Sequence, residues 1–229
     1  MKNIILIISI VITAALSGCI SWPEADTVLI ETDISGDAST LLVPDDLQYF
    51  DTMEEAILHN DMDLLNLNID GIIKLFENDE YAVLFCREKA GDNAGNDAVS
   101  VFKFVVKTDG NRIYSTPVAV NRKPWDGHKL FVKRAKLDEI GEVRLCISRD
   151  SLRLFKVDDT KDFFWGLSQT ERARNLKIEG QPVSEVIEVE LDGETWYFWY
   201  FEDLQTDKRP LFKDIREYTE DEFIITMDQ

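Results

Sequence analysis

The chain has 229 residues, 45% of them hydrophobic, with 44 Asp and Glu against 25 Lys and Arg, for a formal net charge of −19. That balance excludes a nucleic-acid surface, because affinity for phosphates rests on Lys and Arg, and it sets the body of the protein against an anionic membrane surface. Basic proteins and divalent cations stay compatible as partners, and no motif calls for a cofactor.

Residues 1–18 read as an export signal. Lys2 and the amino terminus supply a short positive region, and Ile4 to Leu16 form an apolar run relieved only by Ser9 and Thr13. A bilayer-spanning helix needs about 20 apolar residues, a signal core about 7–15. The run fits the second range, which disfavours a membrane anchor or a buried core helix. Leu16-Ser17-Gly18-Cys19 follows at once and resembles the lipobox of bacterial lipoproteins. The resemblance implies a diacylglyceryl group on the Cys19 sulfur, cleavage between Gly18 and Cys19, and acylation of the new amine. Two or more acyl chains hold firmly where one binds only marginally, so the membrane partner is met through covalent lipid. Cleavage removes Lys2 and no carboxylate, leaving 211 residues at a formal −20. Ile20, rather than Asp, follows the cysteine. In a two-membrane bacterium this resembles proteins sent to the outer membrane; in a Gram-positive cell the outer face of the cell membrane is the destination. Either address lies outside the cytoplasm.

Residues 19–44 form a lipidated tether, acidic and carrying Pro23, Gly36 and Pro44, in which TVLIET (27–32) has the pattern of an edge strand. Residues 45–229 form one globular domain, with a possible sub-boundary near 158–175. At its start, DTMEEAILH (51–59) predicts a helix: Thr52 stands three before Glu55, as in a capping box, and Met53, Ala56 and Ile57 give an apolar face. From Gly71 the pattern turns to strands. IIKLF (72–76) and YAVLFC (81–86) flank Glu77-Asn78-Asp79-Glu80 as a hairpin, and AVSVFKFVVK (98–107) and RIYSTPV (112–118) flank a turn with Asp109-Gly110. KLFVKRA (129–135), EVRLCIS (142–148) and LRLFKV (152–157) read as further strands, and residues 160–175 as a helix with Phe163, Phe164 and Leu167 on one side. VSEVIEVEL (183–191), the Asp192-Gly193 turn and TWYFWYF (195–201) predict another hairpin; RPLFKDIREY and a strand-like FIITM (223–227) close the chain.

DGIIKLFENDEYAVLFCRE and SEVIEVELDGETWYFWYFED share a rhythm of strand, acidic turn, apolar strand and terminal charge. Two hairpins packed on one core would produce it; a duplicated unit is the alternative, on weak evidence. Around YFDTMEEAILH and the following hairpin, about a third of the chain, the sequence also resembles uncharacterised envelope and secreted proteins of Gram-positive bacteria. That resemblance implies no activity.

With Cys19 lipidated, Cys86 and Cys146 remain, both in apolar strand-like settings. They make one disulfide or two buried thiols, and the ordinary alternation around each favours thiols. His59, near Asp61 and Asp63, offers a divalent-ion site, against which stands a polar helix exit in an Asp-rich chain. Trp125 and His128, in KPWDGHK, are candidate ligand-binding residues on a turn marked by Pro124 and Gly127. DNAGNDA (92–98) lacks the alternating ligands and distal Glu of a calcium loop and reads as an exposed hairpin loop. Trp196 and Trp199 are the other ligand-binding candidates. In a strand they face opposite ways, so either one face is an aromatic recognition surface or the strand is covered on both sides; the second reading is preferred.

The sequence therefore predicts a β-rich α+β fold, an antiparallel system (open sheet, sandwich or partial barrel) with two short helices. No G-x-S-x-G, phosphate loop or H-E-x-x-H is present, so no catalytic residue is assigned. The expected function is a non-enzymatic, membrane-anchored envelope lipoprotein that binds or scaffolds an envelope protein or another basic partner. The alternative is a surface hydrolase acting on wall glycan or peptide through acidic residues.

Overall fold

The computed structural model describes residues 46–59, 69–89, 97–124, 129, 132–150, 155–158, 160–206 and 223–228. The expected signal (1–18), Cys19, the expected tether (19–44) with its 27–32 segment, Asp61, Asp63, residues 92–96, Trp125, His128 and the stretch 209–218 lie outside the described residues.

The chain opens with β1 (Tyr49–Phe50) and α1 (Met53–Leu58). Thr52 caps the helix as its spacing predicts: its hydroxyl accepts a hydrogen bond from the Glu55 N–H at 3.2 Å. Met53, Ala56 and Ile57 are the buried face.

β2 (Ile69–Glu77) and β3 (Tyr81–Glu88) form the first expected hairpin. Asn78 makes its turn, with Oδ1 accepting from the N–H groups of Glu80 and Tyr81 at 2.8 and 2.7 Å. β4 (Ala98–Asp109) pairs with β3 along one side. Its other side is shared: the second half takes β5 (Asn111–Ser115), the first half β6 (Ala119–Pro124). With β1 on β5, the sheet runs β1-β5-β4-β3-β2, and β6 lies beside β4.

α2 (Glu139–Asp150) follows, then β7 (Phe164–Ser168), a 3-10 helix over Glu171–Asn175, β8 (Leu176–Ile178) and β9 (Gln181–Pro182). β10 (Glu185–Leu191) and β11 (Glu194–Phe201) are the last expected hairpin. Asp192 and Gly193, at φ 52° and 73°, make the two-residue turn whose left-handed backbone matches the twist of paired strands. β7 lies against the other side of β11, and β12 (Ile225–Met227) completes a small sheet, β12-β8-β9. The fold is thus β-rich, with three antiparallel open sheets and few short helices.

Strand alternation stacks these elements. From β3 and β4, Val83, Phe85, Val99 and Val101 face Val189, Leu191, Trp196, Phe198 and Tyr200 of the second sheet. The opposite face, Ala82, Leu84, Cys86, Phe102, Phe104 and Val106, is covered by α1. The far side of the second sheet, with Phe164, Trp199 and Phe201, is covered by Val143, Cys146 and Ile147 of α2 and by the small sheet. The order of layers is α1, first sheet, second sheet, then α2 with the third sheet. The two hairpins of similar rhythm meet face to face on one core.

Four expected elements are corrected. Residues 142–148 lie in α2, where Val143, Cys146 and Ile147 form the i, i+3, i+4 face turned onto the second sheet. Residues 132–135 are helical, not a strand. Their end is fixed by bonds from Leu137 N–H to Val132 O (3.1 Å) and Lys136 N–H to Lys133 O (3.3 Å), with Lys136 left-handed at φ 54°. Phe155 to Val157 are in no strand; the carbonyls of Lys156 and Val157 instead accept from the side chains of Lys103 and Asn78. The helix expected at 160–175 survives only as the 3-10 turn at its end, capped by Thr170. Phe164–Ser168 is β7, and all five of its residues are buried.

Candidate functional site

The sequence candidates on the aromatic strand are spent on the core. Trp196 and Trp199 have 0% exposure, and β11 is covered on both faces. Trp196 lies in the core between the two large sheets, Trp199 under α2. Neither indole reaches the surface: the structure shows the preferred reading, a strand covered on both sides, and not the alternative of an aromatic recognition face. Tyr197 alone among the strand's central rings is half-buried, with Arg174 over it at 5.5 Å. The large apolar side chains left exposed among the described residues, Leu58, Ile72 and Ile224, lie on α1, on β2 and just before β12.

His59 ends α1. Its Nδ1 lies 2.9 Å from the Glu55 carbonyl oxygen, which can only accept, so Nδ1 carries the proton there. The ring stacks on Phe50 at 4.6 Å between centroids. Asp61 and Asp63, the companions that an ion site at His59 would need, lie outside the described residues; no group of three or more metal-binding side chains occurs among the described residues.

Cys86 and Cys146 are both buried, and neither is in a disulfide. They lie in different layers: Cys86 donates to Ser100 O at 3.6 Å beneath α1, Cys146 to Leu167 O at 3.5 Å on α2. Burial, followed by the nearby Glu88, pushes the Cys86 thiol up to about 12, so it carries almost no thiolate at neutral pH. Both thiols are expected to alkylate without reductant once the protein is unfolded. A mass two hydrogens lower, or alkylation that needs prior reduction, would establish a disulfide instead.

The structure also brings together groups that the sequence reading did not single out. At the edge where β2 meets β10, the Tyr200 hydroxyl donates to Glu185 Oε2 at 2.5 Å, and Lys74 Nζ donates to the same oxygen at 2.7 Å. The half-buried rings of Phe76 and Phe163 lie beside them, Phe76 edge-on to Tyr200 at 4.9 Å and to Phe163 at 5.0 Å. Lys74 and Glu185 are 111 positions apart, and no spacing rule links them. Further along the same seam, Arg87 donates to the Glu190 carbonyl at 3.2 Å. At its end, Asp97 and Asp192 exchange bonds, each carboxylate accepting from the other's backbone N–H at 3.0 and 2.9 Å. These polar links join the first hairpin and its neighbouring strand to the last hairpin.

The chemistry of the cluster follows from its contacts. The Lys74 and Tyr200 hydrogen bonds hold the Glu185 carboxyl below its ordinary value. Lys74 is raised, first by its bond to Glu185; the Tyr200 phenol is raised by burial and then by Glu185. At neutral pH the carboxylate is ionised, the ammonium charged and the phenol protonated, an arrangement that fixes charge rather than moving protons. Glu185's contribution to stability is present above the ordinary carboxylate range and fades as pH falls through its lowered value. The contributions of Lys74 and Tyr200 are present at neutral pH and fade as pH rises through their raised values. Glu185 is nearly half exposed, so solvent screening limits the ion pair to roughly 0.5 kcal/mol. Glu185→Gln is therefore expected to flatten the acid limb of the stability profile with little loss at pH 7. An unchanged acid limb in urea titrations would show that the link contributes nothing.

Among the described residues no helix is long and apolar enough to cross a membrane. No protein-family model matches the chain, and no curated protein or solved structure matches it.

Proposed function

We propose that this protein is a lipid-anchored protein of the bacterial envelope, held outside the cytoplasm through Cys19, and that its folded body binds or scaffolds another envelope component without catalysing a reaction. One observation carries the anchoring: Leu16-Ser17-Gly18-Cys19 placed directly after a signal-length apolar run. The acidic body favours lipid over charge as the means of attachment, and it favours a basic partner. The scaffold reading draws support from how the described polar groups are used. His59 ends a helix, the two thiols pack in separate layers, and Lys74, Glu185 and Tyr200 fasten the sheets together.

The test is Cys19→Ser in the full chain. The variant is expected to stay uncleaved or to be released, and to lose incorporation of a fatty-acid label. High salt screens any charge-based attachment, so a variant that still sediments with membranes after a high-salt wash overturns the proposal. The binding role is tested by pull-down from detergent-solubilised membranes with the lipidated protein, where a basic envelope protein is the expected capture and turnover of wall glycan or peptide would favour the hydrolase.

A further inference from the structure

We draw no further inference here: the strongest candidate, the Lys74–Glu185–Tyr200 cluster beside the half-buried rings of Phe76 and Phe163 at the edge where the two large sheets meet, has these polar groups already bonded to one another across the sheets, and nothing in the structure shows what covers it.

Discussion

Trp196→Ala and Trp199→Ala are each expected to lower the unfolding free energy by about 3–5 kcal/mol, the range for a buried aromatic cut to alanine. Both side chains are fully buried, but they line different layers. Trp196 belongs with Phe85, Trp165 and Phe198 between the large sheets; Trp199 belongs with Cys146, Phe164 and Phe201 under α2. A surface tryptophan would cost roughly 0.5 kcal/mol or less. Two losses of the larger size therefore verify that β11 is covered on both sides, and one variant with wild-type stability would place its ring at the surface. The indole nitrogen of Trp199 has no hydrogen-bond partner among the described residues. An unsatisfied buried donor costs about 1–3 kcal/mol, which Trp199→Phe removes while keeping an aromatic ring. Trp199→Phe is accordingly expected to cost well under half as much as Trp199→Ala in the same denaturant titration.

The three hairpins were legible in the sequence because their turns carry chemistry that only a turn needs. Asn78 supplies a side-chain acceptor for two backbone N–H groups, and Asp192-Gly193 adopts two consecutive left-handed conformations. The helix at Met53 was legible through its cap. What misled lay between residues 129 and 175, where apolar spacing satisfies two periods at once. In EVRLCIS, Val143, Leu145 and Ile147 alternate like a strand, while Val143, Cys146 and Ile147 repeat like a helix; all four are buried. Periodicity alone does not separate these cases. Asp138, whose carboxylate accepts from the Gly141 N–H at 2.8 Å, was the available helix-start signal. Phe164–Ser168 failed for the opposite reason. A strand buried on both faces has no alternation to read, and its apolar run imitates a helix face. The Lys74–Glu185–Tyr200 link was not legible at all, since a contact between distant strands leaves no local pattern. That β11 is covered on both sides was legible from its unbroken aromatic run, but the element that covers its far side, α2, was not, because the sequence presents it as a strand.

Gly166→Ala is expected to cost about 3 kcal/mol or more, at or beyond the upper end for overpacking a core. Gly166 sits opposite Trp199 in the pairing of β7 with β11, directly beneath α2. A Cβ placed there would stand 2.4 Å from Cζ2 and 2.9 Å from Cε2 of Trp199, and 2.6 Å from Cβ of Cys146. One neighbour is a rigid ring enclosed on all sides; the other is fixed to the backbone of α2, so neither can swing aside as a flexible chain end would. The opposing effect is smaller. Alanine lowers the entropy lost on folding and so favours a strand over glycine by roughly 0.5–1 kcal/mol. The clash wins, and the sign is destabilising. A double-mutant cycle identifies the ring as its main source. In a Trp199→Ala background the two indole contacts are gone while the Cys146 contact stays, so the cost of Gly166→Ala is expected to fall by at least about 1 kcal/mol, as coupled neighbours allow. Strict additivity in that cycle, or a Gly166→Ala protein as stable as wild type, would mean that Trp199 does not lie across this glycine. The packing of α2 on the second sheet would then have to be redrawn.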